Sequence, residues 1–126
     1  MIEHWDMPVG FGSPYHTHHR EDEHFYVLEG EVAFVCGSTW LKAAPGAFVY
    51  GPRGIAHGFK TIAGPARMLV MCTPAGFERF VSEQASPLTD PPPPPDMNRL
   101  MALAERHGIE IHGPLPEAPA DLIAKG

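Results

Sequence analysis

Residues 14–31 read PYHTHHREDEHFYVLEGE and set histidines and acids directly before an apolar segment typical of a buried strand. His16 and His18 are two residues apart, a spacing that places both imidazoles on one face of a strand. The loop 19–22 lets the chain reverse, and Glu23 then opens the next strand, from which it can point at the same place. The stretch therefore predicts side chains that point inward from neighbouring strands and converge, rather than a polar surface loop.

A fourth candidate ligand, His57, lies in GAFVYGPRGIAHGF, residues 46–59, where a turn at Pro52–Gly54 leads onto another predicted strand. A single histidine is weak evidence for a metal site, but this joint spacing rarely arises by chance. The predicted metal ligands are His16, His18, Glu23 and His57. Three neutral imidazoles and one carboxylate suit a divalent first-row metal, whether iron, manganese, nickel, cobalt, copper or zinc. Four protein ligands leave coordination positions for oxygen, water or substrate.

The other histidines and the nearby acids are not predicted as ligands. Two histidines fall in the loop or off the face of the ligand set: His19 and His24. Three have no partner at ligand spacing and are expected to be exposed to solvent: His4, His107 and His112. Two acids are expected to form the exposed tip of the loop: Glu21 and Asp22.

Glycines and prolines separate short alternating or apolar segments from Met1 to about Thr73. This punctuation predicts an all-β sandwich or barrel. The predicted strands are Ile2–Met7, Tyr15–His18, His24–Leu28, Glu31–Cys36, Thr39–Ala43, Ala47–Tyr50, Ala56–Thr61 and Arg67–Thr73. Two segments are predicted as tight turns with glycine in the left-handed conformation: Leu28–Glu31 and Cys36–Ser38.

The pattern becomes helical after Thr73, which is expected to cap a helix with Pro74 at its first position. The apolar stripe of this helix is Phe77, Phe80, Val81 and Gln84. Pro91–Pro95 must be an extended, stiff spacer, because proline has no backbone donor. A second helix, Met97–His107, begins after Asp96. Its predicted apolar face is Met97, Leu100, Met101 and Ala104.

The tail from Ile109 is broken by prolines and is expected to cross the surface. We divide the chain into a barrel, residues 1–73, and a C-terminal helical extension, residues 74–126, packed on the barrel or on a partner subunit. A chain of 126 residues suits a single domain overall.

Composition excludes several classes of partner. The net charge is -6 and the sequence has no cluster of lysine and arginine, so neither nucleic acid nor an anionic membrane surface is expected to bind. No apolar run is long enough to span a membrane, and the N-terminus lacks the features of a signal peptide. We therefore expect a cytoplasmic protein in which Cys36 and Cys72 are free thiols.

The ligand set lies within two motifs that resemble those of the cupin superfamily. The first, G-x5-H-x-H-x3–4-E-x6-G, is filled by Gly10, His16, His18, Glu23 and Gly30. The second, G-x5-P-x-G-x2-H-x3-N, is filled by Gly46, Pro52, Gly54 and His57. Thr61 replaces its final asparagine, which is not a metal ligand in the family. The chain is most similar to small single-domain bacterial cupins related to quercetin 2,3-dioxygenase. The resemblance implies a double-stranded β-helix (the cupin jelly-roll barrel), a bound metal and often a homodimer.

Cupins host many activities, so the fold does not fix the chemistry. We expect a metal-dependent oxygenase, similar to a quercetinase-like dioxygenase, acting on a small aromatic or enolisable substrate. Glu23, if it leaves the metal, would act as a base toward the substrate hydroxyl. Phe25, Phe48, Phe59 and Met71 are predicted to line an apolar substrate pocket. The alternatives are a non-catalytic binding or sensing cupin, and a metal-dependent isomerase or decarboxylase that does not use oxygen.

Overall fold

The computed structural model describes residues 1–85, 94 and 96–124. The strands within these residues are β1 (Ile2–Met7), β2 (Tyr15–His18), β3 (Asp22–Cys36), β4 (Thr39–Ala43), β5 (Phe48–Gly51), β6 (His57–Thr73) and β7 (Ile109–Gly113). They form one antiparallel sheet in the order β4-β3-β6-β2-β7, with β1 paired to β6 and β5 paired to β3. The prediction of an all-β barrel of the jelly-roll type is confirmed.

β3 and β6 are the two longest strands, and they pair along most of their length, beginning with Asp22 opposite Thr73. The sequence predicted each of them as two shorter strands, with a hairpin turn at Leu28–Glu31 in the first, and this prediction was wrong. Gly30 does adopt the expected left-handed conformation, with φ of 75°. The chain nevertheless continues as one strand, and the pairing with β6 shifts register around Gly30. The glycine therefore makes a bulge inside a long strand.

The bulge needs a glycine because the neighbouring strand approaches closely. A Cβ atom at Gly30 would lie 2.5 Å from the carbonyl oxygen of Ala63 and 2.8 Å from the Cβ of Ala66. The second predicted turn, Cys36–Ser38, is confirmed, since Gly37 has φ of 59° and joins β3 to β4. The two turns were indistinguishable by sequence, and only the second reverses the chain.

Thr61, which replaces the asparagine of the second motif, does not disturb the local pairing. Its side chain is fully buried in β6. Its N–H donates to the Phe11 carbonyl at 2.8 Å, and its carbonyl accepts from the Gly10 N–H at 2.9 Å. Thr61 therefore fixes the segment that leads into β2.

β7 was not predicted, since the tail from Ile109 was expected to cross the surface. It pairs with the whole of β2 and places Ile109 opposite His18. β2 is only four residues long and pairs with β6 through one residue pair, His16 opposite His57. A strand from the segment after residue 73 therefore supports the strand that carries two of the predicted ligands.

Three helices follow the long strands in the described part of the chain: α1 (Phe77–Gln84), α2 (Met97–Arg106) and α3 (Ala120–Ala124). The prediction that Thr73 caps the first helix was wrong, because α1 begins after Gly76. Asp96 caps α2 as predicted, and its side chain accepts a hydrogen bond from the Arg99 N–H at 3.0 Å. The predicted spacer Pro91–Pro95 lies outside the described residues except for position 94. None of the helices described is both long enough and apolar enough to cross a membrane.

The apolar face of α2 differs from the predicted one. Met97 and Met101, expected on the buried face, are 54% and 44% exposed. A second core, distinct from that of the barrel, consists of Phe80, Leu103, Ala104 and Ile109. Because these residues come from α1, α2 and β7, the segment after residue 76 packs around its own small core.

The two cysteines are free thiols, as predicted, and both are half-buried. Burial raises the pKa of Cys36, and burial together with the charges of Glu23 and Glu21 raises the pKa of Cys72 to about 12. Both thiols are therefore protonated at neutral pH. The homodimer implied by the resemblance stays a prediction.

Candidate metal centre

The structure brings the four predicted ligands together. His16 and His18 extend from β2, Glu23 from the start of β3 and His57 from the start of β6. One candidate ligand atom from each lies within 4.8 Å of the others, and all four residues are buried. The alternation of side chains along β2, from which the convergence was predicted, accounts for this arrangement.

The three histidines direct the same ring nitrogen toward the cluster. His16 Nδ1 donates to the Pro14 carbonyl at 2.8 Å, and His57 Nδ1 donates to the Ile55 carbonyl at 3.2 Å. His18 Nδ1 donates to Glu21 Oε1 at 2.9 Å. Each Nδ1 therefore carries a proton, and in a neutral ring the lone pair is left on Nε2. This is the tautomer in which histidine binds a metal through Nε2.

Imidazole nitrogens and a carboxylate meet at the centre of the cluster. The Nε2 atom of His18 is buried, lies against Glu23 Oε1 and has no partner in hydrogen-bond geometry. His57 Nε2 lies 3.3 Å from the other oxygen, Glu23 Oε2. Lone pairs that face a carboxylate repel it unless a cation stands between them. The donor set therefore fits a divalent metal ion.

Burial and mutual contact set the protonation of these groups. Burial lowers the pKa of His16 to about 4, so this ring is neutral at pH 7. Burial raises the pKa of Glu23, but the close contacts with His18 and His57 and their charges outweigh it, and the net pKa lies well below the usual range. Burial lowers the pKa of His18, yet Glu23 and Glu21 raise it above the usual value. A proton on His18 and a metal ion thus compete for the same carboxylate.

Glu21 has a structural role that the sequence prediction missed. It was expected at the exposed tip of the loop, but only 5% of its surface is exposed. The reason is its hydrogen bond to His18, which fixes the tautomer of that ring. Asp22 was also misplaced, because it begins β3 and its carboxylate accepts from the Arg53 N–H at 2.9 Å. The only signal in the sequence was the spacing of Glu21 from His18, which is uninformative without the loop conformation.

The non-ligand histidines differ in their surroundings. His19 is exposed, and His24 stacks on Tyr50 outside the ligand face, as predicted. His112 is exposed, although it is hydrogen-bonded to the Thr17 hydroxyl at 2.8 Å. The predicted exposure was wrong for His107, which is half-buried against the second core, and for His4, which is half-buried on β1.

A cavity of about 240 Å³ adjoins the ligand cluster. It lies between the barrel on one side and α1, α2 and β7 on the other, is partly open to solvent, and has a mostly apolar lining. Of the four predicted pocket residues, Phe25 and Phe59 line this cavity. The prediction was wrong for Phe48, which is 58% exposed and stacks on His24. It was also wrong for Met71, which lies opposite His24 in the sheet and therefore faces outward.

His4 belongs to the wall of this cavity. Its ring contacts those of Phe59 and Phe11, with centroid distances of 5.9 and 6.1 Å. Burial lowers the pKa of His4, despite the charge of Glu23, so the ring is neutral at pH 7. The alternation of side chains along β1 could be predicted from the sequence. The pairing of β1 with β6, which brings His4 to the cavity, could not.

Comparison with known proteins identifies the family. A curated but uncharacterised protein of Streptomyces coelicolor is 38% identical over 56 residues, which are 44% of this chain and 53% of the relative. The chain thus matches about half of the length of this relative. A solved structure from Thermus thermophilus is 34% identical, with a TM-score of 0.50 over 52% of this chain and 64% of the other. An RmlC-like cupin from Shewanella frigidimarina is 22% identical, with a TM-score of 0.53 over 61% of this chain and 67% of the other, and this likeness concerns the fold alone.

The family model described as "Cupin domain" matches residues 3–72. This range is more than half of the chain, and it includes both motifs and all four candidate ligands. The chain therefore belongs to the cupin superfamily.

Proposed function

We propose that this cupin is a metal-dependent oxygenase, similar to a quercetinase-like dioxygenase, acting on a small aromatic or enolisable substrate. The observation that carries the proposal is the position of the ligand cluster in the wall of a mostly apolar cavity. Four protein ligands leave coordination positions open, and the cavity beside them favours rings and hydrocarbon over polar groups. A divalent metal held there would supply charge stabilisation for an ionised substrate hydroxyl and electron transfer to oxygen.

The side chains of the chain itself divide the remaining tasks. His16, His18 and His57 would hold the metal through Nε2, because each Nδ1 donates to a fixed acceptor. Glu23 is ionised, and its two oxygens lie against His18 and His57. If Glu23 leaves the metal, its carboxylate would accept the proton of a substrate hydroxyl bound beside the cluster. Phe25 and Phe59 exclude water from the same space.

The proposal is tested by metal analysis together with oxygen consumption. The purified protein is loaded in turn with iron, manganese, nickel, cobalt and copper, and an oxygen electrode follows a panel of phenols, flavonols and diketones. We expect oxygen uptake with at least one pair of metal and substrate. Turnover that persists without oxygen would favour an isomerase or decarboxylase, and ligand binding without any turnover would favour a binding module.

The Glu23→Gln variant tests the role of the carboxylate. It keeps the shape and one possible oxygen ligand but removes the negative charge, so we expect partial retention of metal and loss of most turnover. The matched control is Glu29→Gln, at an exposed position of the same strand. Equal turnover in both variants would contradict the assignment of Glu23 as the base.

A further inference from the structure

The cavity beside the ligand cluster limits the size of what it can hold. An apolar cavity of about 150 Å³ accepts a benzene molecule. By the same ratio, the volume of 240 Å³ holds roughly ten non-hydrogen atoms, one ring with a few substituents. Part of the boundary of the cavity is open to solvent, so a flavonol, with three rings and about twice as many atoms, would leave part of its rings outside the cavity.

The walls limit the polarity of the ligand as strongly as its size. No lysine or arginine lines the cavity in the described part of the chain. Phosphates and dicarboxylates would enter without a countercharge beyond that of a metal at the cluster. Sugars would leave most of their hydroxyls without partners, because the barrel side is formed by side chains such as Phe25, Phe59 and Val70 and the helical side by Phe77 and Leu100.

Besides the ligands, the polar side chains in the lining are Ser13, Gln84 and one imidazole, His4. Two phenylalanine rings connect His4 to the ligand cluster: Phe59 lies 5.9 Å from His4 and 6.2 Å from Phe25, and Phe25 lies 6.0 Å from His57, as centroid distances. Within the described residues, the His4 ring makes aromatic contacts and no hydrogen bond. Its ring nitrogens are therefore available to a polar group on a molecule that fills the cavity.

We propose that the substrate is a compact molecule of about one ring, which presents an oxygen donor to the metal site and a second polar group to His4. This proposal rests on the proposed metal site and narrows its substrate class: it favours single-ring compounds over flavonols, phosphorylated sugars and other large or highly charged compounds. A ring-bearing molecule with an enol or phenol at one end and a neutral amide, carbonyl or hydroxyl at the other has the required shape.

Binding to the zinc-loaded protein tests the proposal without any turnover, because zinc has no redox chemistry. The probes are catechol, 3,4-dihydroxybenzamide and quercetin, titrated by calorimetry. We expect 3,4-dihydroxybenzamide to bind at least tenfold more tightly than quercetin. The His57→Ala variant, measured in parallel, reports any binding that does not need the metal.

Two variants test the role of His4 and the effect of cavity size. In His4→Phe, which keeps an aromatic ring of similar volume, we expect 3,4-dihydroxybenzamide to lose at least tenfold in affinity, while catechol, which has no second polar group, changes little. Leu100→Ala should enlarge the cavity from the side of α2 and strengthen quercetin binding at least fivefold. Its control is Leu41→Ala, on the outer surface of β4, which should leave all three affinities unchanged.

The outcomes separate this inference from the proposed function. Quercetin that binds the zinc protein as tightly as the single-ring probes would overturn the limit on size. An unchanged affinity of 3,4-dihydroxybenzamide in His4→Phe would overturn the role of His4. Both results leave the metal site intact, whereas a protein that takes up no zinc would overturn the metal site itself.

Discussion

Replacing Glu21 by glutamine should weaken metal binding while leaving the barrel folded. Glu21 Oε1 accepts the His18 Nδ1 proton at 2.9 Å, and both residues are buried. The loss of such an outer partner of a ligating histidine typically costs about 10- to 100-fold in metal affinity. Glutamine keeps an oxygen that accepts the bond and removes only the charge, so we expect about tenfold, or ~1.4 kcal/mol. Glu21→Ala removes the acceptor as well and should cost about 100-fold.

The size of the loss should depend on pH in a predictable direction. Glu21 and Glu23 together raise the pKa of His18 above its usual value, although burial lowers it. Removal of the Glu21 charge therefore lowers the pKa of His18 and weakens the competition between the proton and the metal. The full loss of affinity should appear at alkaline pH, where His18 is neutral in both proteins. As the pH falls, the difference between variant and wild type should shrink.

Competition with a chromophoric chelator measures these affinities for zinc, and circular dichroism of the metal-free proteins checks the fold. Glu29→Gln is the matched control, because it makes the same chemical change on an exposed side chain of β3. Wild-type affinity in Glu21→Ala at alkaline pH would refute the argument, since the alanine cannot orient His18.

Three further predictions concern the ligands and the backbone. His16→Ala and His57→Ala should each lose most bound metal and remain folded by circular dichroism; full metal content in the double variant would contradict the site. The apparent metal affinity of the wild type should weaken as the pH drops below the raised pKa of His18, because the ligands must be unprotonated; dialysis from pH 8 to 5 with metal analysis measures this, and constant occupancy would refute it. Gly30→Ala should lower the free energy of unfolding by about 2–4 kcal/mol, as the sum of left-handed strain and overpacking. Gly46→Ala, also at positive φ but with no atom within 4 Å, should cost no more than about 1 kcal/mol in chemical denaturation.

The parts of the site that follow from strand alternation were predictable from the sequence. The two-residue spacing of His16 and His18 determines a common face whatever strand lies beside them. The same parity placed Phe25 with Glu23 and Phe59 with His57, and both phenylalanines line the cavity. Alternation gives the face of a residue within its own strand.

The missed features depend on contacts between distant segments. The sequence does not reveal that Gly30 packs against Ala63 of β6. The bulge at Gly30 was therefore predicted as a turn. Phe48 is an aromatic residue of the kind that lines apolar pockets, but it lies on the exposed face of β5, where its ring stacks on His24. β7 was missed because its partner strand is far away in sequence and prolines follow it. Each of these features depends on contact with a segment that is distant in sequence, and local periodicity does not identify that segment.

The pairing of β7 with β2 imposes an order on the formation of the site as the chain is synthesised. His16 and His18 leave the ribosome early, but the strand that pairs with all of β2 ends at Gly113. Contacts that join distant segments form late, because the intervening loop must close first. The matched region of residues 3–72 therefore holds every candidate ligand and still lacks the strand that keeps two of them in place. A nascent chain should acquire its stable metal site only after β7 has left the ribosome and paired with β2.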